Sequence, residues 1–261
     1  MSKIVKEART PKEKLYGLAT LLLGPPLWVL LFLGALGALA NPTTAPVVGV
    51  YITYPILFGL FYLISSAAYR ATAYGNMVLL SPQQLPHLHQ MVEEGARELG
   101  MDPPPRTFLF NSNGLLNAYA RRLLGGRYVF LTSALVDLQD DEEVRFVIGH
   151  ELGHHAAGHL RFLPNLLRLP SYAVPFLMPA YSRSREYTCD QIGARLAHNT
   201  KVSQSALLML GCGCARVKTS LNCEAFMAQE TKVPKIFGFL TEICRSHPRM
   251  TRRLTALRQR S

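Results

Sequence analysis

A chain of 261 residues that is 49% hydrophobic and 17% charged can bury one sizeable core or two small ones, and its composition leans toward a membrane protein. Five cysteines, Cys189, Cys212, Cys214, Cys223 and Cys244, show no C-x-x-C spacing and exclude an even disulfide framework, so they fit free thiols in a reducing compartment. The formal net charge of +11 leaves nucleic acid and anionic lipid open as partners until the charges are placed along the chain.

Residues 1–14 read as a basic cytoplasmic tail carrying Lys3, Lys6, Arg9, Lys12 and Lys14. The uncharged runs 15–40 and 47–69 each supply the roughly 20 apolar residues that a membrane-spanning helix needs, and "NPTTAP" between them predicts a hairpin over 15–69. Pro25 and Pro26 predict a kink in the first helix. A cleavable leader ending at "ALA", 38–40, is the competing reading of that run. Basic residues before the first run, none in the turn and Arg70 after the second place both ends in the cytoplasm.

From residue 70 to 261 the chain is polar enough for one soluble domain of catalytic size. Ser81 and Pro82 predict the start of a surface helix closing near Gly100. "RTFLF" and "RYVFLTSAL" predict strands, the second running into a helix, and "NAYA" a short strand between them. "SALLMLGCGCARV" is apolar enough that Cys212 and Cys214 read as buried small hydrophobes.

Acidic residues followed by apolar ones at helical intervals predict a single helix over about 140–160, holding "FVIGHELGHHAAGHL". His150 and His154 are four apart, so both imidazoles leave nearly the same face and can share one metal. Glu151 sits about 100° round from His150, where it can reach a water on that metal. This is the pattern of an H-E-x-x-H zinc peptidase, with one Zn2+ per chain. The metzincin continuation is excluded, because Ala157 and Leu160 stand where its glycine and third histidine would be. His155 and His159 lie roughly 140° from the ligand face and take structural or surface roles. A later glutamate remains as third ligand. "SRSREYTCDQIGARLA" offers Glu186, with Asp190 on the same helical face to accept a hydrogen bond from a ligand histidine.

Taken together, "GHELGHH", "SRSREYTCDQIGA", "LNAYA" and "SHPRMTRRL" resemble the integral-membrane zinc peptidases that include the bacterial heat-shock protease X and the type I CAAX prenyl protease. The resemblance covers about residues 105–260. It implies that Asn117, Ala118 and Tyr119 form a substrate-binding edge strand, that His247 stands near the substrate oxyanion, and that Arg253 belongs to the same substrate-binding element. Heat-shock protease X has further transmembrane helices between its zinc motifs. This chain has only 162–181, with Arg168 and four prolines, which suits a re-entrant or interfacial segment.

The expected fold is mainly α with a small β-sheet, a transmembrane hairpin followed by a gluzincin-type zinc metalloprotease domain. The expected function is that of an integral-membrane zinc endopeptidase hydrolysing membrane or misfolded polypeptides at the cytoplasmic face, at the inner membrane if the chain is bacterial. Its partners are then the polypeptide substrate and the lipid bilayer. A processor dedicated to lipidated substrates and a non-catalytic zinc-binding scaffold are the alternatives; Glu151 argues against the scaffold, since zinc binding alone needs no general base. The basic run from Arg245 to Arg260 comes without an aromatic or groove-reading motif, so no specific nucleic acid is expected.

Overall fold

The computed structural model describes residues 2–259. The N-terminal segment is a packed part of the molecule. Helix α1 (Lys3–Ala8) buries Val5 and Ala8 in the main core, and Thr10 caps α2 (Pro11–Leu39) by accepting from the Glu13 N–H at 3.1 Å. Helix α3 (Ala45–Asn76) follows after a short turn. Both α2 and α3 are long and apolar enough to cross a membrane, and their apolar side chains from Leu22 to Leu63 are largely exposed. Among the described residues these are the candidate spans. The prolines at 25 and 26 lie inside α2, where no break is assigned.

Beyond the hairpin come β1 (Val78–Leu79), α4 (Pro86–Glu98), β2 (Arg106–Phe110), β3 (Ala118–Leu123) and β4 (Gly126–Thr132). The helix expected from Ser81 starts later. Ser81 and Gln84 exchange backbone hydrogen bonds of 2.8 and 3.0 Å in a tight turn, and Pro86, rather than Pro82, takes the first helical position. The sheet has the order β1-β2-β4-β3, with β2 and β4 parallel and the other pairs antiparallel, so β3 is an edge strand. Alternation along β4 divides its burial between two sides: Tyr128 and Phe130 join Phe108 and the end of α3, while Val129 and Leu131 enter the helical core.

The remaining elements are α5 (Ser133–Leu138), α6 (Asp141–Ala156), α7 (Phe162–Arg168), a 3-10 turn at Leu169–Ala173, α8 (Leu177–Leu196), α9 (Thr200–Cys212), α10 (Cys223–Ala228), α11 (Lys235–Ile243) and α12 (Met250–Arg258). Segment 162–173 lies along α2. The Trp28 Nε1–H donates to the Leu166 carbonyl at 2.9 Å, the Arg168 Nε–H to the Thr20 hydroxyl at 3.1 Å, and the Ser171 hydroxyl to the Thr20 carbonyl at 2.9 Å. Phe162, Leu163, Leu169 and Tyr172 are exposed beside that apolar helix. Cys212 and Cys214 are exposed, contrary to the expectation of burial: α9 ends at Cys212, and Gly213, with φ +70°, turns the chain outward there.

Helices α6 and α8 cross at two glycines. A methyl group added at Gly149 would lie 2.9 Å from the Gly193 Cα, and one added at Gly193 would lie 2.6 Å from the Phe146 carbonyl oxygen. This approach brings His150 on α6 toward Asp190 on α8. Replacing Gly193 with Ala is expected to force the helices apart, with a destabilisation of about 1–3 kcal/mol typical of overpacking. Urea unfolding of Gly193→Ala beside the wild type checks this, and an unchanged midpoint would show that the crossing tolerates the methyl.

Candidate active site

The start of α6 is fixed by a reciprocal cap: Asp140 accepts from the Glu143 N–H at 3.0 Å and Glu143 accepts from the Asp140 N–H at 3.1 Å. Two turns further on, His150, Glu151 and His154 follow in the helical order that the sequence expectation used. The structure brings the two imidazoles against Glu186 of α8. His150 Nε2 lies 3.6 Å from Glu186 Oε2, and His154 Nε2 lies 3.5 Å from Glu186 Oε1. Bonds of about 2.0–2.2 Å to a tetrahedral zinc imply ligand-to-ligand edges of about 3.3–3.6 Å. Two imidazoles and one carboxylate at these spacings therefore fit zinc in both geometry and donor chemistry.

The groups behind His150 are equally well defined. His150 Nδ1 is 2.9 Å from Asp190 Oδ1, and Arg253 on α12 donates to both Asp190 oxygens, at 2.8 Å from Nε and 2.6 Å from Nη2. Arg253 also lines the cavity in front of the imidazoles, but its guanidinium is committed to Asp190. His247 reaches the site from the loop before α12, its Nδ1 2.9 Å from Glu186 Oε2 and its ring mostly exposed. That loop is steadied by Glu230, which accepts from Arg249 and Arg252.

Burial and charge set opposite protonation tendencies on the two histidines. Burial alone would push the His150 imidazolium pKa down, but the Asp190 and Glu186 carboxylates raise it to about 10. Burial holds His154 well below the ordinary imidazole range despite Glu186. Glu186 resists the upward pull of its own burial because His150 and His247 donate to it, and its pKa stays well below the carboxylate range. Burial pushes the Glu151 carboxyl up to about 7, against the opposing pull of the neighbouring His150 charge. A dication among these donors must displace the His150 proton.

The cavity measures about 230 Å³, and its walls include Asn117 and Ala118 from the entry to β3, His150 and Glu151 from α6, Glu186 from α8, and His247. A larger cleft, about 550 Å³, lies between Thr10, Tyr187 and Arg252 but contains no imidazole, so the chemistry points to the smaller one. Asn117 is held to Thr132 at the end of β4, its N–H donating to the Thr132 hydroxyl at 3.1 Å and its carbonyl accepting from the Thr132 N–H at 3.1 Å. Tyr119 turns to the other side of the sheet, stacks on Phe130 and shares a hydrogen bond with Tyr69 of α3. The Tyr62 hydroxyl of α3 donates to the Arg122 carbonyl on β3 at 3.3 Å, which ties the edge strand to an apolar helix.

Two residues outside the expected site also join it. His159 Nδ1 is 3.2 Å from His154 Nδ1, and His159 Nε2 is 3.1 Å from the carboxylate of Glu13 on α2. The sequence signal for Glu13 was slight, an acid among the basic residues preceding an uncharged run. His155, by contrast, is buried with Nε2 2.9 Å from the Tyr128 carbonyl, a packing role on the sheet side.

Residues 82–173 and 161–261 match Peptidase family M48. The chain is 30% identical over 175 residues to the plastoglobule-localized metallopeptidase 48, chloroplastic, of Arabidopsis thaliana, a match covering 62% of this chain and 50% of that protein. It is 31% identical over 191 residues to a protease HtpX homolog of Methanothermobacter thermautotrophicus, covering 72% of this chain and 70% of that one. Against the first of these curated relatives the chain spans about half of the relative's length. The crystal structure of S. mikatae Ste24p shares the fold at a TM-score of 0.54, with 18% identity over 90% of this chain and 63% of that one. The matched residues hold both helices whose histidines and carboxylates converge at the cavity, and the chain belongs to peptidase family M48.

Proposed function

We propose that the chain is a membrane-anchored, zinc-dependent endopeptidase in which His150, His154 and Glu186 hold one zinc ion. The observation that carries this reading is the convergence of those three donors beside a carboxylate, Glu151, that is not one of them. Zinc bound there supplies a Lewis acid that acidifies a water and polarises the substrate carbonyl. Glu151 takes the proton of the attacking water and delivers it to the departing amine. His247, at the cavity wall, donates to the oxyanion of the tetrahedral species. Asp190 fixes the proton of His150 on Nδ1, so that Nε2 presents its lone pair to the metal, and Arg253 keeps Asp190 ionised and in place.

The edge strand beginning at Ala118 receives an extended substrate through backbone hydrogen bonds, with Asn117, Ala118 and Tyr119 fixing its start and leaving selectivity for side chains loose. Because β3 leans on α3 through Tyr62 and Tyr69, the substrate is received close to where the anchor leaves the bilayer. This favours membrane or misfolded polypeptides. The basic residues before α2 and Arg70 in α3 put the catalytic unit, residues 70–261, on the cytoplasmic side.

Metal removal tests the proposal. Purified protein is expected to hold about one zinc ion and to cleave casein, to lose both on chelation, and to regain cleavage on return of zinc. Cleavage that survives complete removal of the metal would overturn it.

A further inference from the structure

The two candidate ligand histidines are supported differently on their outer sides. His150 has a carboxylate in direct contact, Asp190. His154 has a second imidazole there, His159, and the carboxylate stands one step further back, on Glu13 near the start of the first apolar helix. We propose that Glu13 positions His154 through His159, so that the membrane anchor itself completes the metal centre. This rests on the zinc site proposed above.

The hydrogen bonds allow one consistent arrangement of protons. If His154 offers the Nε2 lone pair to a metal, its proton is on Nδ1 and is donated to His159 Nδ1 across 3.2 Å. His159, accepting there, carries its own proton on Nε2 and donates it to the Glu13 carboxylate across 3.1 Å. Glu13 is therefore an acceptor at the end of a two-imidazole chain, the extended form of a carboxylate–histidine–metal triad.

The carboxylate is built in rather than passing by. Glu13 is 3% exposed and His159 2%. The same Glu13 carboxylate forms an ion pair with Arg9, whose Nε lies 3.1 Å from it, and accepts from the Thr188 hydroxyl. Arg9 also donates to the Ala157 carbonyl at 2.6 Å, and the Thr10 N–H donates to the Thr188 hydroxyl at 3.1 Å. The first turn of α2 is thus fastened both to the end of α6 and to α8, the two helices that carry the metal donors.

Another use of the same atoms competes with this one. His154, His159 and Cys189 lie close enough to hold a metal of their own, with Cys189 Sγ 3.6 Å from His159 Nδ1. A metal on the two Nδ1 atoms would displace the proton that the relay needs between them, so the two uses are mutually exclusive and distinguishable by stoichiometry.

The test uses the full chain in detergent, with zinc alone as the probe and affinity read by competition with a chelator. Glu13→Gln keeps the shape of the side chain and a neutral acceptor oxygen but removes the charge that strengthens the outer partner, and is expected to weaken zinc binding by about 10-fold, the low end of the range for disturbing such a partner. Arg195→Ala, which removes the Glu7 ion pair holding α1 to α8, loosens the same N-terminal packing without touching the relay and is expected to bind zinc as the wild type does. Should Glu13→Gln fail to fold, nitrogen NMR of the zinc-loaded wild type decides: the relay requires the His159 proton on Nε2 and the His154 proton on Nδ1. Unchanged affinity in Glu13→Gln, an equal loss in Arg195→Ala, the His159 proton on Nδ1, or two zinc ions per chain would each overturn the relay. A wild type that binds no zinc removes the site and the relay together, whereas one zinc bound with an affinity indifferent to Glu13 removes the relay alone.

Discussion

Glu151→Gln is expected to lower casein cleavage by about 10²–10⁴-fold, the usual contribution of a general base, while zinc content stays at the wild-type level. The reason lies in the division of labour within one helical turn. His150 and His154 point together toward Glu186, and Glu151 stands beside them on the cavity wall, buried and next to the edge strand. An amide at this position keeps the size and polarity of the side chain, so the packing around it survives, but it cannot take up a proton from water. Metal analysis and turnover on the same preparation separate the two effects. Loss of zinc from Glu151→Gln would show that the carboxylate helps to hold the metal, and near-normal turnover would remove it from the chemistry.

The part of this site that was legible in the sequence is the part governed by helical periodicity. Four-residue spacing places His150 with His154, and Glu186 with Asp190, on common faces wherever their helices happen to lie. Periodicity says nothing about which two helices meet, and here the meeting depends on Gly149 and Gly193, whose missing side chains let the backbones approach. The two long apolar runs and the strands at 106–110 and 126–132 were readable from composition, and the mainly helical fold with a small sheet follows the expectation. Local competition hid the rest. Ser81 and Pro82 read as a helix start, but the Ser81–Gln84 turn takes those residues and the helix begins at Pro86. Residues 1–14 read as a basic tail, and a count of positive charges does not see that Val5, Ala8 and Glu13 are buried. Long-range pairs such as Glu13 with His159 have no sequence period at all.

The largest stability effect is expected from Arg253→Met, a loss of about 3–5 kcal/mol in unfolding free energy, the range for breaking a buried ion pair from one side. Arg253 and Asp190 are both buried, and two guanidinium donors meet the two carboxylate oxygens. Removing the arginine leaves the aspartate charge in the interior with His150 as its remaining close partner, so much of the cost is the stranded carboxylate rather than the lost bond. The paired variant Asp190→Asn with Arg253→Met takes away the stranded charge and is expected to recover most of the stability. It is not expected to recover zinc binding, because the carboxylate that orients His150 is gone, and outer-partner losses of this kind weaken metal affinity by about 10–100-fold. Urea unfolding of the metal-free proteins reads the first effect and chelator competition the second. If the single variant unfolds like the wild type, the pair contributes no stability; if the double variant is as unstable as the single, packing rather than charge accounts for the loss. Recovery of stability without recovery of zinc would show that this ion pair serves to orient the imidazole that the metal requires, more than to hold α12 against α8.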